Sequence, residues 1–130
     1  GRIEKGPHPF NVVGGLHQIC EPDLMNTALA LAALSAMAHE TRLEIVRLLV
    51  PMGKAGMTAG DIAEHVKSSA SRLSFHLSAL EQAGLVSAKR DGRYQRYCVD
   101  YERMGGVIGY LLNDCCAAHP EVCACTKQRS

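Results

Sequence analysis

At 130 residues, 47% of them apolar, the chain is sized for one domain with a modest core. It has no Trp and only two Phe, so that core must come from Leu, Val, Ile, Ala and Met. The net charge of +1 gives no sign of a nucleic-acid partner by itself, and every apolar run breaks off well short of the roughly 18 residues a membrane span needs.

Residues 1–24 hold Gly, Pro and scattered apolar side chains without periodicity, which predicts a flexible arm; Met25 is a candidate native start. Pro7 and Pro9 follow the first basic residues where a secretory signal would carry a continuous apolar stretch, so no such signal is read. A helix is predicted from an N-cap at Asn26 or Thr27 to about Ala38. It is apolar around nearly its whole circumference, as a helix buried against a partner would be. Thr41–Val50 predicts a second helix with Leu43, Val46, Leu49 and Val50 inward and Arg42, Glu44 and Arg47 outward, stopped by Pro51. Thr58 is a natural N-cap for a third helix, Ala59–Val66, with Asp61 making a capping-box-like pair.

After a Lys67–Ala70 turn, a fourth helix runs from about Ser71 to Ala83, with Leu73, Leu77 and Leu80 as its buried stripe and Gly84 as its C′ residue. Leu85–Arg90 and Arg93–Val99 read as strands around Asp91-Gly92, a strong two-residue hairpin signal. A last helix covers about Tyr101–Cys116, and Pro120 argues against its continuation beyond His119. The order predicts a mainly α fold with a small β-hairpin. This is a winged helix-turn-helix domain over residues 25–116, with flanking helices forming a dimer interface and a cysteine-containing tail over 117–130.

Charge is distributed unevenly along this layout. Between residues 67 and 96, Lys67, Arg72, Lys89, Arg90, Arg93 and Arg96 oppose only Glu81 and Asp91, a local balance of +4 on a remainder of −3. That asymmetry suits a groove-binding surface. A recognition helix buries one stripe and presents short polar and basic side chains near its N-terminus to the major groove. Ser69, Ser71, Arg72, Ser74 and Phe75 lie off the leucine stripe, with Arg72 able to reach a guanine edge. His76 fits either a packed group or a base reader and is kept among the readers. Lys89, Arg90, Arg93 and Arg96 sit where a wing would meet flanking phosphates or the minor groove.

Three runs then carry a family resemblance: Ala38-His-Glu-Thr-Arg-Leu-Glu-Ile-Val-Arg-Leu-Leu49, Ser71-Arg-Leu-Ser-Phe-His-Leu-Ser-Ala-Leu-Glu-Gln-Ala-Gly-Leu-Val86, and Arg90-Asp-Gly-Arg-Tyr-Gln-Arg-Tyr97. Over about residues 27–116 the chain resembles the ArsR/SmtB family of metal- and metalloid-sensing winged-helix repressors. The resemblance implies a cytoplasmic homodimer that binds double-stranded operator DNA when free and leaves it when inducer binds. It implies no enzyme and no membrane partner, and no base–orienter pair, phosphate loop or paired-carboxylate motif contradicts that.

The six cysteines do not read as a secreted disulfide scaffold, because the long apolar helical patterns supply a core of their own. Four of them, Cys115, Cys116, Cys123 and Cys125, fall within eleven residues. The resemblance offers several inducer sites. The Cys-x-Cys site near the third helix is absent from Met57–Ala63, and the Asp/His site on the last helix is absent from Met104–Asp114. What remains resembles members with a vicinal cysteine pair and a later cysteine at the end of the last helix. Trivalent arsenic and antimony are soft and prefer three thiolates in a pyramid, whereas zinc and cadmium prefer four ligands in a tetrahedron. Four thiolates around zinc would carry −2 beside a helix C-terminus whose dipole repels anions and favours protonated thiols.

The expected inducer is therefore As(III) or Sb(III) on Cys115, Cys116 and Cys123, with Cys125 a substitute or spectator and no cofactor permanently bound. Adjacent cysteines diverge by roughly 100° on an intact helix, so both serve one ion only where the helix frays or unwinds. Redox or persulfide switching, or cadmium, zinc or lead held by more ligands, stay open on the same scaffold. Cys20 reads as a bystander, Cys98 as a small buried hydrophobe and His119 as a solvated loop residue. Gly105 and Gly109, four apart, fit either a close helix approach or a loosely formed helix start.

Overall fold

The computed structural model describes residues 25–127; the N-terminal arm expected over 1–24, Cys20 included, lies outside the described residues. Six α-helices and a three-stranded antiparallel sheet make up the described part. Helix α1 spans Thr27–Met37, and the Asn26 side chain accepts from the Leu29 amide at 2.9 Å as its N-cap. Its buried face is made of Ala30, Ala33 and Ala36, while Leu31, 59% exposed, and Leu34 point away from the core. Helix α2 spans Glu40–Leu49 and is capped by His39, whose Nδ1 accepts from the Thr41 amide. Ile45, Val46 and Leu49 face inward as the spacing requires, but the expected inward Leu43 and Val50 are exposed and Arg42 is half-buried instead.

A 3-10 segment, Val50–Ala55, follows and is interrupted at Gly53; it leads to strand β1, Met57–Thr58. Helix α3, Ala59–Val66, starts where Thr58 accepts from the Asp61 amide at 3.2 Å, so the expected cap is present. Lys67 closes it in the left-handed region at φ 53°. Helix α4, Ala70–Gln82, begins on the Ser69 hydroxyl, which accepts from the Arg72 amide, and Gly84 follows its end at φ +80°. Leu73, Leu77 and Leu80 form the buried stripe read from the sequence, and with Ile45, Leu49, Ile62 and Leu85 they build the centre of the core.

Strands β2, Val86–Asp91, and β3, Tyr94–Val99, pair antiparallel, with Asp91 opposite Tyr94. The two loop residues are therefore Gly92 and Arg93, not Asp91 and Gly92. Gly92 has φ +65° and Arg93 does not share a positive φ, the pattern of a type II′ rather than a type I′ turn. β3 is the central strand and also pairs with β1, Met57 opposite Tyr97. That pairing ties the start of α3 to the wing.

Helix α5, Tyr101–Gly109, begins on the Asp100 carboxylate and then widens into a π-helical segment, Tyr110–Cys115. The Cys116 amide donates to the Leu111 carbonyl at 2.9 Å, five residues back. The single α-helix expected to Cys116 is thus replaced by α5 plus this wider turn. Ala117 and Ala118 turn the chain through the left-handed region at φ 54° and 51°. Pro120 then occupies the first turn of a further helix, α6 (Pro120–Thr126), inside the stretch expected as a tail. Thr27 and Tyr110 join by their hydroxyls, and a Cβ added at Gly106 would meet Met25 Cε at 3.1 Å, so Gly106 makes room on α5 for the side chain just ahead of α1. No described helix is long and apolar enough to cross a membrane.

Candidate nucleic-acid interface and thiol site

The first turns of α4 and the hairpin β2–β3 carry most of the polar and basic residues singled out from the sequence. Ser69, Ser71, Arg72, Ser74 and Phe75 are exposed, Phe75 at 64%. Ser69 is committed to capping through one lone pair, which fixes the helix start and leaves its hydroxyl hydrogen available. Lys89, Arg90 and Arg93 are exposed on the wing. Arg90 Nε donates to the Gly92 carbonyl at 3.2 Å, folding its guanidinium back over the turn.

Two of the expected readers sit elsewhere. His76 is 7% exposed, so the packed reading holds and its place among the base readers is corrected. Its Nδ1 accepts from Arg42 Nε at 3.1 Å, and its ring lies 4.5 Å from that of His39. Arg96 is half-buried; it donates through Nε to Asp91 at 3.0 Å and through Nη1 to the Ala55 carbonyl. It braces the wing against the 3-10 segment rather than standing free at the tip. Sequence reasoning missed Arg42, which it placed outward. The Arg42 guanidinium lies 5.4 Å from the Phe75 ring centroid, and only the His39-x-x-Arg42 spacing across the start of α2 hinted at it.

Cys98 is buried in β3, as expected, with its thiol donating to the Lys54 carbonyl at 3.2 Å. Of the four C-terminal thiols, Cys115 ends the π segment, Cys116 follows it, and Cys123 and Cys125 lie on α6. Cys116 and Cys123 are half-buried, and Cys115 and Cys125 are exposed. Cys116 is held above the ordinary thiol pKa, first by its hydrogen bond with Cys115, then by desolvation and by the fields of Cys115 and Cys123. For Cys116 this is the direction expected of the resting thiols, though the expectation rested on the helix dipole. The field of Cys123 thus reaches Cys116, yet among the described residues no three His, Cys, Asp or Glu side chains are already arranged to hold an ion. His119 spends its Nδ1 accepting from the Glu121 amide at 3.1 Å as the cap of α6.

A helix-turn-helix with a basic two-stranded wing, flanked by helices with uncovered apolar faces, defines a winged-helix DNA-binding transcription regulator rather than an enzyme. A helix-turn-helix domain family matches residues 37–87. The chain is 36% identical to a probable mercury resistance operon repressor of Streptomyces lividans over 64% of its own length and 62% of that protein's. It is 39% identical to the transcriptional repressor SdpR of Bacillus subtilis, covering 60% of this chain and 83% of that one. It is 32% identical to the arsenical resistance operon repressor of the same organism, covering 62% and 73%. The crystal structure of NolR from Sinorhizobium fredii superposes with a TM-score of 0.54 at 31% identity, covering 84% of this chain and 94% of that one. The chain belongs to the ArsR/SmtB family of winged-helix regulators.

Proposed function

We propose that this chain is a cytoplasmic, homodimeric repressor that binds operator DNA when free. Trivalent arsenic or antimony, taken up by Cys115, Cys116 and Cys123, then releases it. The observation that carries the reading is the corner itself: the vicinal pair ends a widened helix, two left-handed alanines turn the chain into α6, and the field of Cys123 reaches the Cys116 thiol. Three thiolates around As(III) give a neutral complex, which this helix end tolerates better than a tetrathiolate dianion. The name of the Bacillus subtilis relative, an arsenical resistance operon repressor, points the same way. X-ray absorption at the arsenic edge tests it directly: three sulfur neighbours per arsenic are expected, and a two-sulfur shell removes Cys123 from the site.

One observation favours a second reading. The strongest influence on Cys116 is its hydrogen bond with the adjacent Cys115, and two thiols suffice for a disulfide or for a two-coordinate ion. The mercury-resistance name of the Streptomyces lividans relative belongs with that case. A tetrahedral zinc site gains little support, since the Nδ1 of His119 is spent on capping α6.

In the proposed dimer, Leu31 and Leu34 of α1 and Ile108 of α5, 51% exposed, meet their copies. Ligation that repacks the end of α5 then alters the separation of the two α4 helices. That separation must match half-sites roughly 34 Å apart. Leu31→Asp is expected to shift the protein to monomer in analytical ultracentrifugation and to abolish operator binding at micromolar concentration. A dimer unchanged by it would move the interface elsewhere.

Exposed Arg72 is assigned to a base edge and exposed Arg93 to a phosphate. Arg72→Ala should cost roughly 5- to 150-fold in operator affinity and relax specificity at one position. Arg93→Ala should weaken all sequences alike and lower the salt slope by about one. Salt-dependent anisotropy titrations separate the two outcomes.

A further inference from the structure

His76 is the one buried polar side chain among the described residues, and its hydrogen-bond partner belongs to another helix. Arg42 donates to it from α2 through Nε at 3.1 Å and reaches the Ala36 carbonyl, in the last turn of α1, through Nη1 at 3.5 Å. The same guanidinium stacks over Phe75 on the exposed face of α4. One side chain thus spans a flanking helix, the helix after it and the recognition helix.

We propose that Arg42 is a positioning residue that clamps α4 to the α1–α2 junction through unprotonated His76, so that specific DNA binding weakens as this histidine takes a proton. A guanidinium has donors only and never loses its charge. Its Nε–H therefore needs a bare Nδ1 on His76, which assigns the ring the Nε2–H tautomer. A proton on Nδ1 sets donor against donor and cation against cation. The charges acting on the ring are those of His39 and Arg42 at the start of α2 and Arg72 on α4 itself. α1, α3 and β2, the other elements packed on α4, add no carboxylate to relieve them. Burial is the largest influence and works in the same direction, so His76 is held below the ordinary histidine value.

The folded, clamped state thus binds fewer protons than one with the clamp open. Its advantage is whole above about pH 6.5, the ordinary histidine value, and shrinks as pH falls below that. The sign runs against the general trend, since protonating other histidines adds positive charge and tightens phosphate contacts.

The test uses the full chain and a duplex selected by the wild-type protein from a random library, with fluorescence anisotropy read between about pH 8 and about pH 5.5. A poly(dI-dC) duplex runs in parallel, and circular dichroism follows the fold at each pH. No inducer is present, so the outcome is independent of the thiol reading. Specific affinity should fall several-fold on acidification while poly(dI-dC) binding holds or tightens. His76→Gln, which keeps a neutral acceptor, should retain the neutral-pH affinity within about threefold and lose the acid step. Arg42→Lys, which keeps the charge but not the fork, should lose about tenfold in specific affinity at neutral pH. An acid step that survives His76→Gln, or a wild-type specific affinity that is flat or rises on acidification, overturns the proposal. Should His76→Gln not fold, the nitrogen-15 spectrum of the wild-type ring decides. A bare Nδ1 at neutral pH is expected, and a proton found there refutes the clamp.

Discussion

Cys116→Ser is expected to weaken As(III) binding on the order of 100-fold while leaving operator affinity in the absence of arsenite unchanged. The residue sits at the hinge of the thiol corner, touching Cys115 and within the field of Cys123, so its loss leaves no adjacent pair. Cys115→Ser and Cys123→Ser should behave alike, because a pyramidal three-thiolate site loses a full ligand in each case. Cys125→Ser should stay within about twofold of the parent, since that exposed thiol lies beyond Cys123 on α6 and is not among the groups that act on Cys116. Titration of the thiolate-to-arsenic ultraviolet absorbance measures all four. Equal losses from all four serines would signal a tetrathiolate site; no loss from Cys123→Ser would leave a two-thiol pair.

Gly56→Ala is expected to destabilise the domain by about 4 kcal/mol, a large share of the roughly 5–15 kcal/mol that holds a domain folded. Gly56 has φ 61° and ψ −160°, a region nearly closed to residues with a side chain. A Cβ there would also overlap the Tyr97 carbonyl oxygen and lie 2.8 Å from Cys98 Sγ. Both neighbours belong to β3, the strand that ties α3 to the wing, so neither yields without disturbing the DNA-reading half. Gly53 provides the internal control. Its φ is also 61°, but a Cβ there meets nothing within 4 Å. Gly53→Ala should therefore cost only the backbone strain, about 1–2 kcal/mol. Urea unfolding at one fixed protein concentration compares the pair, and equal costs would remove the steric part of the explanation.

Much of the scaffold was legible because local chemistry specifies it. Thr58 caps α3, Gly84 closes α4, and the Leu73/Leu77/Leu80 spacing announces the buried stripe of the recognition helix. Where the reading failed, the deciding interaction was nonlocal or the local signal was shared by two structures. β1 is two residues long and exists through its pairing with β3, so no periodicity could reveal it. An Asp-Gly pair suits a turn centred on either side of the glycine, and the β2–β3 register selects Gly92-Arg93. Pro120 was read as a stop, although proline equally well opens a helix. Tyr101–Cys116 has the apolar pattern of one α-helix; its widening after Gly109 is a change in hydrogen-bond register that composition does not encode. Arg42 sits on the polar side of an isolated α2, and partners on other helices, His76 34 residues away among them, turn it inward.

The thiol corner was partly legible. Four cysteines near a helix end were plain in the sequence, whereas the wide turn and the two left-handed alanines beside them were not. Which three act together depends on how the corner closes on an ion, and spacing alone does not determine that.

The most direct test of the whole account is release from DNA. A fluorescent duplex selected by the free protein is titrated to saturation and then challenged separately with arsenite, antimonite, cadmium, zinc and a thiol oxidant. Arsenite and antimonite are expected to return the anisotropy to that of free DNA at stoichiometric ratios, with reversal by excess dithiol. Release by the oxidant alone, or by cadmium or zinc but not arsenite, would contradict a three-thiolate metalloid switch on this winged-helix scaffold.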